Sequence, residues 1–290
     1  MRAVRVRNEF GALRAALVHD AGNAVDTTME DLRRLIPADE LKDHPESGPS
    51  FKDRIFKQQA DFRRVLAEHG VSLLSPDTRE DAFCQVFTRD PCFVVGDTLF
   101  VGSLRDAYRH PEIAGLAQLR GQVETVVDLS GDGARIEGGD VMVLDEGRRV
   151  LVGMNRHTNE AGCGKLAAQL ARSGVEVIRV PHRALHLDCC LAPLPNREAI
   201  YCAGKLPDTS VNVLRGCFER LIPLDRHEAE LHLAANVFWI NERQVVSNAT
   251  TGQTNHLLRD KGYEVIELDF SQLVCLWGSF RCVVCPLERA

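Results

Sequence analysis

The feature that most constrains the fold is a segment of strand, tight turn and strand that recurs along the chain. Four such segments begin 46 to 50 positions apart, and their turns are rich in Gly, Asp, Asn and Pro. They cover residues 93–101, 141–152, 191–202 and 237–246. The same interval, added once more, reaches Cys282 and Val283. A period of this size indicates units that each bury a face against their neighbours, as in propeller-like arrays.

The segments between the hairpins follow one order, a helix and then a strand. The predicted helices cover residues 106–119, 159–173, 210–220 and 251–261, and the strands after them 123–129, 175–180, 221–224 and 263–268. Before the repeats we expect a strand at 13–19, a loop with short helical pieces at 23–50, a helix at 51–69 and a strand at 71–74. Five units would close a ring if the strand at 13–19 completes the last one. The alternative is an ordinary α/β sheet with coincidental spacing.

Composition narrows the partners that such a chain can have. The net charge of −6 argues against a nucleic-acid or anionic-membrane partner, because either would need a basic face, and it suits a small cationic substrate. A secretory signal is missing from the first residues, and no run of about 18 uncharged apolar residues occurs, so we expect a cytoplasmic protein. The ten cysteines should then be mostly free thiols. We find no linker and expect one domain over residues 1–290; the number of subunits stays open, a homodimer included.

Polar residues that can carry chemistry recur just ahead of the hairpins. Asp90 precedes the first hairpin, Glu137 and Asp140 the second, His186 and Asp188 the third, and Cys282 the position at which a fifth would begin. In a ring of similar units, equivalent positions lie at the same end of the central axis. We therefore expect two acids, a histidine, another acid and a thiol to converge on one pocket.

Each of these residues also has a plainer interpretation. Asp90 stands before Pro91 and is typical of a turn, and Glu137 beside two glycines is typical of one too. His186 within an apolar run is commonly a core histidine. Cys282 and Cys285 form a Cys-x-x-Cys pair that could be redox-active or half of a zinc site. Convergence favours the chemical interpretation, because the plainer one needs a separate reason for every residue.

A pocket of this composition suits a guanidinium group. This cation is planar and carries five donors in a fork, so two carboxylates can bind it bidentately from opposite edges. Its central carbon is then exposed to a thiolate, whose formation the bound cation favours electrostatically.

Several longer motifs extend the pattern over nearly the whole chain. They are Gly11-Ala12-Leu13-Arg14-Ala15-Ala16-Leu17-Val18-His19, Phe87-Thr88-Arg89-Asp90-Pro91, Glu137-Gly138-Gly139-Asp140, Gly153-Met154-Asn155-Arg156-His157-Thr158-Asn159 and His186-Leu187-Asp188. On these motifs the sequence resembles the guanidine-modifying enzyme, or pentein, superfamily. This superfamily includes arginine deiminases, dimethylarginine dimethylaminohydrolases and amidinotransferases. The resemblance implies an α/β fold, a five-bladed α/β propeller of repeated ββαβ units with pseudo-fivefold symmetry.

The resemblance also implies roles for individual residues. Cys282 would be the nucleophile, His186 the catalytic histidine and Glu137 a catalytic carboxylate that binds the guanidinium. The implied substrate-binding residues are Asp90 and Asp188 for the guanidinium, Arg156 and Arg109 for the α-carboxylate, and Phe87 from the motif that contains Asp90. A solvated surface arginine is the alternative for both arginines.

The departures from the superfamily pattern bear on the substrate. A glycine-rich run usually precedes the nucleophile, whereas this chain has bulkier residues, Trp277 and Phe280 among them. Cys84 stands where arginine deiminases carry an asparagine. A length of 290 residues leaves no room for their extra helical insertion and favours the dimethylaminohydrolase type. Asp188 favours an unsubstituted guanidinium nitrogen instead.

The sequence thus predicts a hydrolase acting on the guanidinium carbon of arginine or a close analogue. A covalent amidino-thioether would form on Cys282 and give citrulline or a related ureido product, with no metal or organic cofactor. Transfer of the amidino group to an amine acceptor is the nearest alternative. Two others are a guanidine-binding protein without chemistry and a metal or redox protein, the latter built on His186, Asp188, Cys189, Cys282 and Cys285.

Overall fold

The computed structural model describes residues 3–22 and 49–290 of the chain. Fifteen strands occur within these residues. They are β1 (Leu13–Val18), β2 (Ser72–Leu74), β3 (Cys92–Val95), β4 (Thr98–Val101), β5 (Val126–Asp128), β6 (Val141–Leu144), β7 (Arg149–Met154), β8 (Glu176–Pro181), β9 (Leu191–Leu194), β10 (Glu198–Tyr201), β11 (Arg220–Pro223), β12 (Phe238–Trp239), β13 (Gln244–Asn248), β14 (Glu264–Leu268) and β15 (Val284–Arg289).

Helices alternate with the strands. They are α1 (Pro49–Glu68), α2 (His110–Ala114), α3 (Ala117–Gln122), α4 (Glu160–Ala171), α5 (Asp208–Arg215), α6 (Arg226–Leu231), α7 (Gly252–Asp260) and α8 (Ser271–Cys275). None of the helices within residues 3–22 and 49–290 is long and apolar enough to cross a membrane.

The strands of the described residues form five sheets of three strands each, all built to one plan. In four of them an antiparallel hairpin is followed by a strand parallel to its second member: β3-β4-β5, β6-β7-β8, β9-β10-β11 and β12-β13-β14. The fifth sheet repeats the plan with distant parts of the chain, because β1 pairs antiparallel with β15 and parallel with β2. The prediction that the strand at 13–19 completes the last unit is thereby confirmed.

The hairpin turns follow the predicted turn residues. Gly96, between β3 and β4, has a φ of +58°, and Asn196, between β9 and β10, has a φ of +64°. Between β6 and β7, Asp145 and Glu146 both have positive φ. Gly and Asn adopt this left-handed region at the lowest steric cost, which is why these residues could be recognised as turn positions.

Two predicted helices are wrong in extent. The one expected at 106–119 is divided into a short 3₁₀ turn and the helices α2 and α3. Pro111 cannot donate a backbone hydrogen bond and begins a new helix, and Gly115 packs its backbone against Asp77 and Gln85. The helix expected at 210–220 ends at Arg215, since Gly216 follows. Of the loop predicted at 23–50, residues 23–48 lie outside the described residues, and α1 begins at Pro49.

The buried side chains form three hydrophobic clusters between neighbouring sheets. The first joins β1 and β15 to β3, β4, β6 and β7; the second joins β1 and β15 to α1, α8, β12 and β13; the third joins β6 and β7 to β9, β10, β12 and β13. Strand β7 shows why one strand serves two clusters. Val150 and Val152 enter the first cluster and Leu151 the third, because successive side chains point to opposite faces of a sheet. Such strands read as continuous apolar runs.

Candidate functional site

A cavity of about 740 Å³ opens at the end of the sheets where the predicted site residues lie. Six of those eight residues line it: Phe87, Asp90, Arg109, Arg156, His186 and Cys282. The other two, Glu137 and Asp188, are 1% and 0% exposed and contact lining residues through hydrogen bonds or close approach. Side chains separated by nearly 200 positions are therefore brought together.

The repeated plan of the sheets explains this convergence. We call the first hairpin strand of each sheet its inner strand; these are β3, β6, β9, β12 and, in the fifth sheet, β15. Glu137 and His186 both have extended backbone. Each is followed by a 3₁₀ turn, Gly138–Asp140 or Leu187–Cys189, that leads into an inner strand. Asp90 and Cys282 stand two residues before the inner strands β3 and β15. The side chains thus occupy equivalent places in four of the five sheets.

Glu137 and His186 form the shortest contact among the predicted residues. His186 Nε2 lies 2.7 Å from Glu137 Oε2, while Glu137 Oε1 accepts from the backbone N–H of Arg105 at 2.9 Å and lies 3.3 Å from His157 Nδ1. Burial favours the neutral carboxyl, yet hydrogen bonds from His157 and His186 hold the pKa of Glu137 well below its usual range. Burial likewise opposes charge on the imidazole, but Asp90 and Glu137 raise the pKa of His186 well above 6.5. At neutral pH the pair is therefore carboxylate and imidazolium.

Asp90 contacts two side chains, His186 and Arg109. Its Oδ1 lies 3.5 Å from His186 Nδ1, and its Oδ2 accepts a hydrogen bond from Arg109 Nη1 at 3.0 Å. Arg109 is itself buried and donates bidentately to Glu112 from Nε and Nη2, at 2.8 and 2.9 Å. All three guanidinium nitrogens of Arg109 thus bond carboxylates of the protein. In this arrangement Arg109 orients Asp90 and balances its charge.

The two glycines after Glu137 permit the close approach of neighbouring chain. A Cβ on Gly138 would lie 2.1 Å from the backbone oxygen of Arg89, and a Cβ on Gly139 would lie 2.7 Å from the ring of His186. Real side chains essentially never approach so closely. The glycines in this motif are therefore required by packing against the site.

We expect Gly139→Ala to cost about 1–3 kcal/mol of unfolding free energy, because the added methyl overpacks the buried site. It should also lower kcat by about a hundred-fold, since it displaces the imidazole of His186. Thermal unfolding and steady-state kinetics measure both effects. Gly164→Ala in α4 is the matched control, because a Cβ there meets nothing within 4 Å, and it should leave both quantities unchanged or raise stability slightly. Wild-type kinetics in the Gly139 variant would contradict this role of the glycine.

Asp140 connects the second and third sheets behind the site. Its Oδ1 accepts from the backbone N–H of Leu187 at 2.8 Å and lies 2.9 Å from His182 Nε2, and its Oδ2 accepts from Thr158 at 2.6 Å. Burial raises the pKa of Asp140, but His182, His186 and the hydrogen bond from Thr158 together outweigh burial, and the net pKa lies below the usual range. Since Leu187 directly follows His186, Asp140 fixes the backbone that carries the imidazole.

Cys282 is 3% exposed and lies in a polar environment. Its Sγ is 3.2 Å from Nδ2 of Asn236 and 3.9 and 4.0 Å from the two carboxylate oxygens of Asp188. Arg281 donates to Asp188 Oδ2 at 2.9 Å and to Glu9 Oε2 at 3.1 Å. Burial raises the pKa of Asp188. Asp188 therefore approaches the sulfur from the protein interior and not from the cavity, and Arg281 binds its Oδ2.

The second cysteine of the Cys-x-x-Cys pair has a different environment. Cys285 is fully buried in the first hydrophobic cluster, and its Sγ lies 3.8 Å from that of Cys92. The residues expected for the metal or redox alternative therefore do not lie in one group. Asp188, Cys189 and Cys282 bring their ligand atoms within 4.8 Å of one another, as do Glu137, His157 and His186, and no other such group occurs in the described residues. In the second group the glutamate and histidine already bond each other.

The rim of the cavity carries cations and apolar side chains. Arg156 and Arg183 are exposed there and Lys205 is half-buried, so this part of the rim can attract an anionic group. Trp277 lines the cavity with a φ of +64°, whereas Phe280 is buried in the core and stacks on Phe270 at 4.0 Å. Of the two bulky residues that precede Cys282, Trp277 is therefore the one that lines the cavity.

Five further residues that contact the predicted ones were not expected from the sequence: Asn236, Arg281, Glu112, His157 and His182. One of them had a usable signal. Asn236 stands directly before the fourth hairpin, at the place where the other repeats carry their chemical side chains. The others have no periodic signature. Glu112, His157 and His182 contact Arg109, Glu137 and Asp140 of their own repeat units, and Arg281 joins Glu9 to Asp188; the repeat in the sequence expresses none of these contacts.

Comparison with known proteins finds one matching family. Residues 39–289 match the profile of N,N-dimethylarginine dimethylhydrolase, eukaryotic. A curated relative, the N(G),N(G)-dimethylarginine dimethylaminohydrolase of Streptomyces coelicolor, is 26% identical over 229 residues, which are 79% of this chain and 84% of that one.

Solved structures with similar folds include enzymes of both reaction types. An amidinotransferase of the saxitoxin biosynthetic pathway from Microseira wollei superposes with a TM-score of 0.82 at 16% identity, over 99% of this chain and 97% of that one. The N-terminal domain of an arginine dihydrolase from the ornithine-ammonia cycle of cyanobacteria gives a TM-score of 0.80 at 18% identity, over 95% and 98% of the two chains. At these identities the likeness concerns the fold.

Proposed function

Because the chain belongs to the N,N-dimethylarginine dimethylhydrolase family, within the guanidine-modifying superfamily, we propose that it is a cysteine-dependent hydrolase of guanidino compounds. The substrate would be arginine or a close analogue, N-methylated or not, and the product citrulline or a related ureido compound. The observation that carries the proposal is the meeting of Asp90, Glu137, His186 and Cys282 at one cavity.

We further propose that the five sheets are the blades of a five-bladed α/β propeller formed by residues 1–290 as one domain. The three hydrophobic clusters support this, since they connect the sheets in a cyclic order and return from β12 and β13 to β1 and β15. A cyclic order would bring the starts of the five inner strands to a common axis, where the candidate site lies.

The charges of the site support binding of a guanidinium. Glu137 is ionised, and Asp90 Oδ1 is a buried oxygen that accepts no hydrogen bond from the residues that the structure describes, although His186 Nδ1 lies 3.5 Å from it. A buried acceptor of this kind has a free-energy cost that a ligand donor would remove. Asp188 adds negative charge from behind Cys282. Two edges of the planar cation would thus meet carboxylates, while its carbon faces Sγ.

The proposed reaction has two steps. The Cys282 thiolate attacks the guanidinium carbon, the bond from that carbon to the departing nitrogen breaks, and the His186 imidazolium gives its proton to the departing amine. The neutral imidazole then takes a proton from water, the resulting hydroxide attacks the amidino carbon, and the carbon-sulfur bond breaks to return the thiolate. The raised pKa of His186 supports its role as the initial acid.

The nearest alternative is transfer of the amidino group to an amine instead of water. The fold likeness to the Microseira wollei amidinotransferase favours keeping it. Both reactions share the covalent intermediate and differ only in what resolves it.

A panel of guanidino compounds tests the proposal. The protein is incubated with arginine, mono- and dimethylarginines, agmatine and guanidino acids, each with and without ornithine or glycine, and the products are identified by mass. We expect a ureido product and an amine from at least one compound without any acceptor. Product formation only when an acceptor amine is present would favour transfer, and absence of turnover on the whole panel would contradict both reactions.

Arg156 is proposed to bind the α-carboxylate of the substrate at the rim of the cavity. We expect Arg156→Ala to raise KM for arginine-type substrates by about 10- to 100-fold, since a hydrogen bond between charged groups contributes roughly 1.5–3 kcal/mol. The KM for agmatine, which lacks the carboxylate, should stay within about two-fold.

Arg179→Ala is the matched control for this substitution. Arg179 is an exposed arginine on β8 that pairs with Glu160. Equal losses with carboxylated and decarboxylated substrates in the Arg156 variant would show that the arginine does not bind the carboxylate. Arg109 remains a candidate second contact, although its nitrogens already bond Glu112 and Asp90.

A further inference from the structure

We infer that Asn236 stabilises the reactive thiolate of Cys282 by donating a hydrogen bond to its sulfur. The inference rests on the proposed function in so far as Cys282 is taken as the nucleophile. It adds a group that touches the reacting atom and that the sequence motifs do not contain.

Asn236 fills the place that the fourth sheet otherwise leaves without a chemical side chain. It is 1% exposed and stands two residues before the inner strand β12, as Cys282 stands two residues before β15. Its Nδ2 lies 3.2 Å from Cys282 Sγ, which is close for a hydrogen bond to sulfur. Since the other four sheets supply Asp90, Glu137, His186 and Cys282, all five contribute to the site.

The orientation of the Asn236 amide is determined by two backbone groups. Its Oδ1 accepts from the backbone N–H of Arg281 at 2.9 Å, and its Nδ2 donates to the backbone oxygen of Asp188 at 3.1 Å. If Oδ1 and Nδ2 were exchanged, an acceptor would face the backbone oxygen of Asp188 and a donor would face the backbone N–H of Arg281. The amide nitrogen, and not its oxygen, therefore faces the sulfur.

The sulfur has one close anion, Asp188, and two side chains that can donate to it, the Asn236 amide and the Cys189 thiol, whose pKa is raised by its hydrogen bond to Cys282. Both carboxylate oxygens of Asp188 lie within 4.0 Å of Cys282 Sγ, and like charges at that distance disfavour ionisation. Arg281 offsets part of this charge at Asp188 Oδ2, but its guanidinium is bound to the carboxylates and to the backbone oxygen of Val141. Asn236 donates to the sulfur itself.

The hydrogen bond would act in both chemical steps. It raises the share of Cys282 present as thiolate before attack, and it stabilises the same thiolate when the carbon-sulfur bond breaks. Asn236 also joins two backbone segments, so a substitution will affect stability as well. The test therefore needs a readout that a purely structural role would not change.

That readout is the pH profile of Cys282 alkylation by iodoacetamide. The rate is followed at Cys282 by peptide mass, with fragmentation to separate it from Cys285, because the tryptic peptide after Arg281 carries both cysteines. We expect Asn236→Ala to shift the midpoint of the profile upward by about one pH unit, so that alkylation at neutral pH falls about ten-fold. Asn236→Asp keeps the shape and the acceptor for Arg281 but places an anion at the sulfur, and it should shift the midpoint further.

Asn212→Asp is the matched control, since this asparagine is exposed on α5, and its profile should equal that of the wild type. Unchanged midpoints in both Asn236 variants would overturn the inference, including the case in which they only lower the unfolding temperature. Alkylation requires no guanidine turnover. Shifted midpoints in a protein that turns over no guanidino compound would therefore support the role of Asn236 while the proposed function fails.

Discussion

Replacement of Cys282 by serine is expected to lower kcat by at least about a thousand-fold with every substrate that the wild type turns over. A serine hydroxyl at this position is far less ionised than a thiol, and its neighbours in the described residues, the Asn236 amide, the Cys189 thiol and the distant oxygens of Asp188, are poor bases for activating it. No amidino adduct should appear in the intact mass of the variant. Kinetics and mass spectrometry of the same sample measure both.

Cys285→Ser makes the same chemical change three residues away and is the control. Its thiol lies in the core beside Cys92, so the variant should lose some stability and keep kcat within about two-fold. A Cys282→Ser protein with substantial residual activity would sink the assignment of the nucleophile. So would a Cys285→Ser protein that unfolds like the wild type and is inactive.

Replacement of His186 by glutamine should lower kcat by about 10²- to 10⁴-fold, because glutamine can bond Glu137 but transfers no proton. The loss should depend on the leaving group. With an S-alkyl isothiourea analogue of arginine, whose leaving group needs no proton, the first step should proceed and the second should stall. The amidino-thioether on Cys282 would then accumulate in the intact mass.

The pH dependence follows from the direction of the His186 shift. The pKa of His186 is raised above 6.5 in the folded protein. Protonation of His186 therefore stabilises the fold fully below about pH 6.5, the pKa of the unfolded chain. This stabilisation is lost as the pH rises through the pKa of the folded state. We therefore expect kcat and the unfolding temperature of the wild type to decline together on the alkaline side of neutrality. The His186→Gln protein should show a smaller alkaline decline in unfolding temperature.

His256→Gln provides the matched control for these measurements, because His256 is exposed and pairs with Asp260 on the surface helix α7. It should leave both pH profiles unchanged. If His186→Gln formed no adduct with the activated analogue, the histidine would be required for attack itself. If it retained wild-type turnover of arginine, the acid-base role would be wrong.

The part of the fold that the sequence predicts is the part that repeats. Turn residues such as Gly96 and Asn196 mark each hairpin by their left-handed backbone, and apolar runs mark strands that are buried on both faces. The helix divided at Pro111 and Gly115 was predicted as one, because apolar periodicity continues across the break. What ends it is packing against Asp77 and Gln85, which local sequence does not express.

The candidate site likewise contains residues that the sequence predicts and residues that it does not. Side chains that precede an inner strand, Asp90, Glu137, His186 and Cys282, could be found from the repeat and the motifs. Residues that are recognisable only by their side-chain contacts could not be found: Glu112 by its bidentate bond to Arg109 three residues away, and Arg281 by the two carboxylates it joins. Asp188 was predicted as a ligand of the guanidinium, and the sequence did not indicate its contact with Cys282 Sγ at 3.9 Å.

The pairing of β1 with β15 has a consequence for synthesis on the ribosome. The two strands lie about 270 residues apart in the sequence, so a nascent chain carries β1 with one unpaired edge while all four intervening sheets are made. That edge is apolar, with five of its six residues buried in the finished protein. Unpaired apolar edges readily add strands from other chains. Until β15 is made, β1 is therefore a strand of the emerging chain that a chaperone would have to shield from such additions.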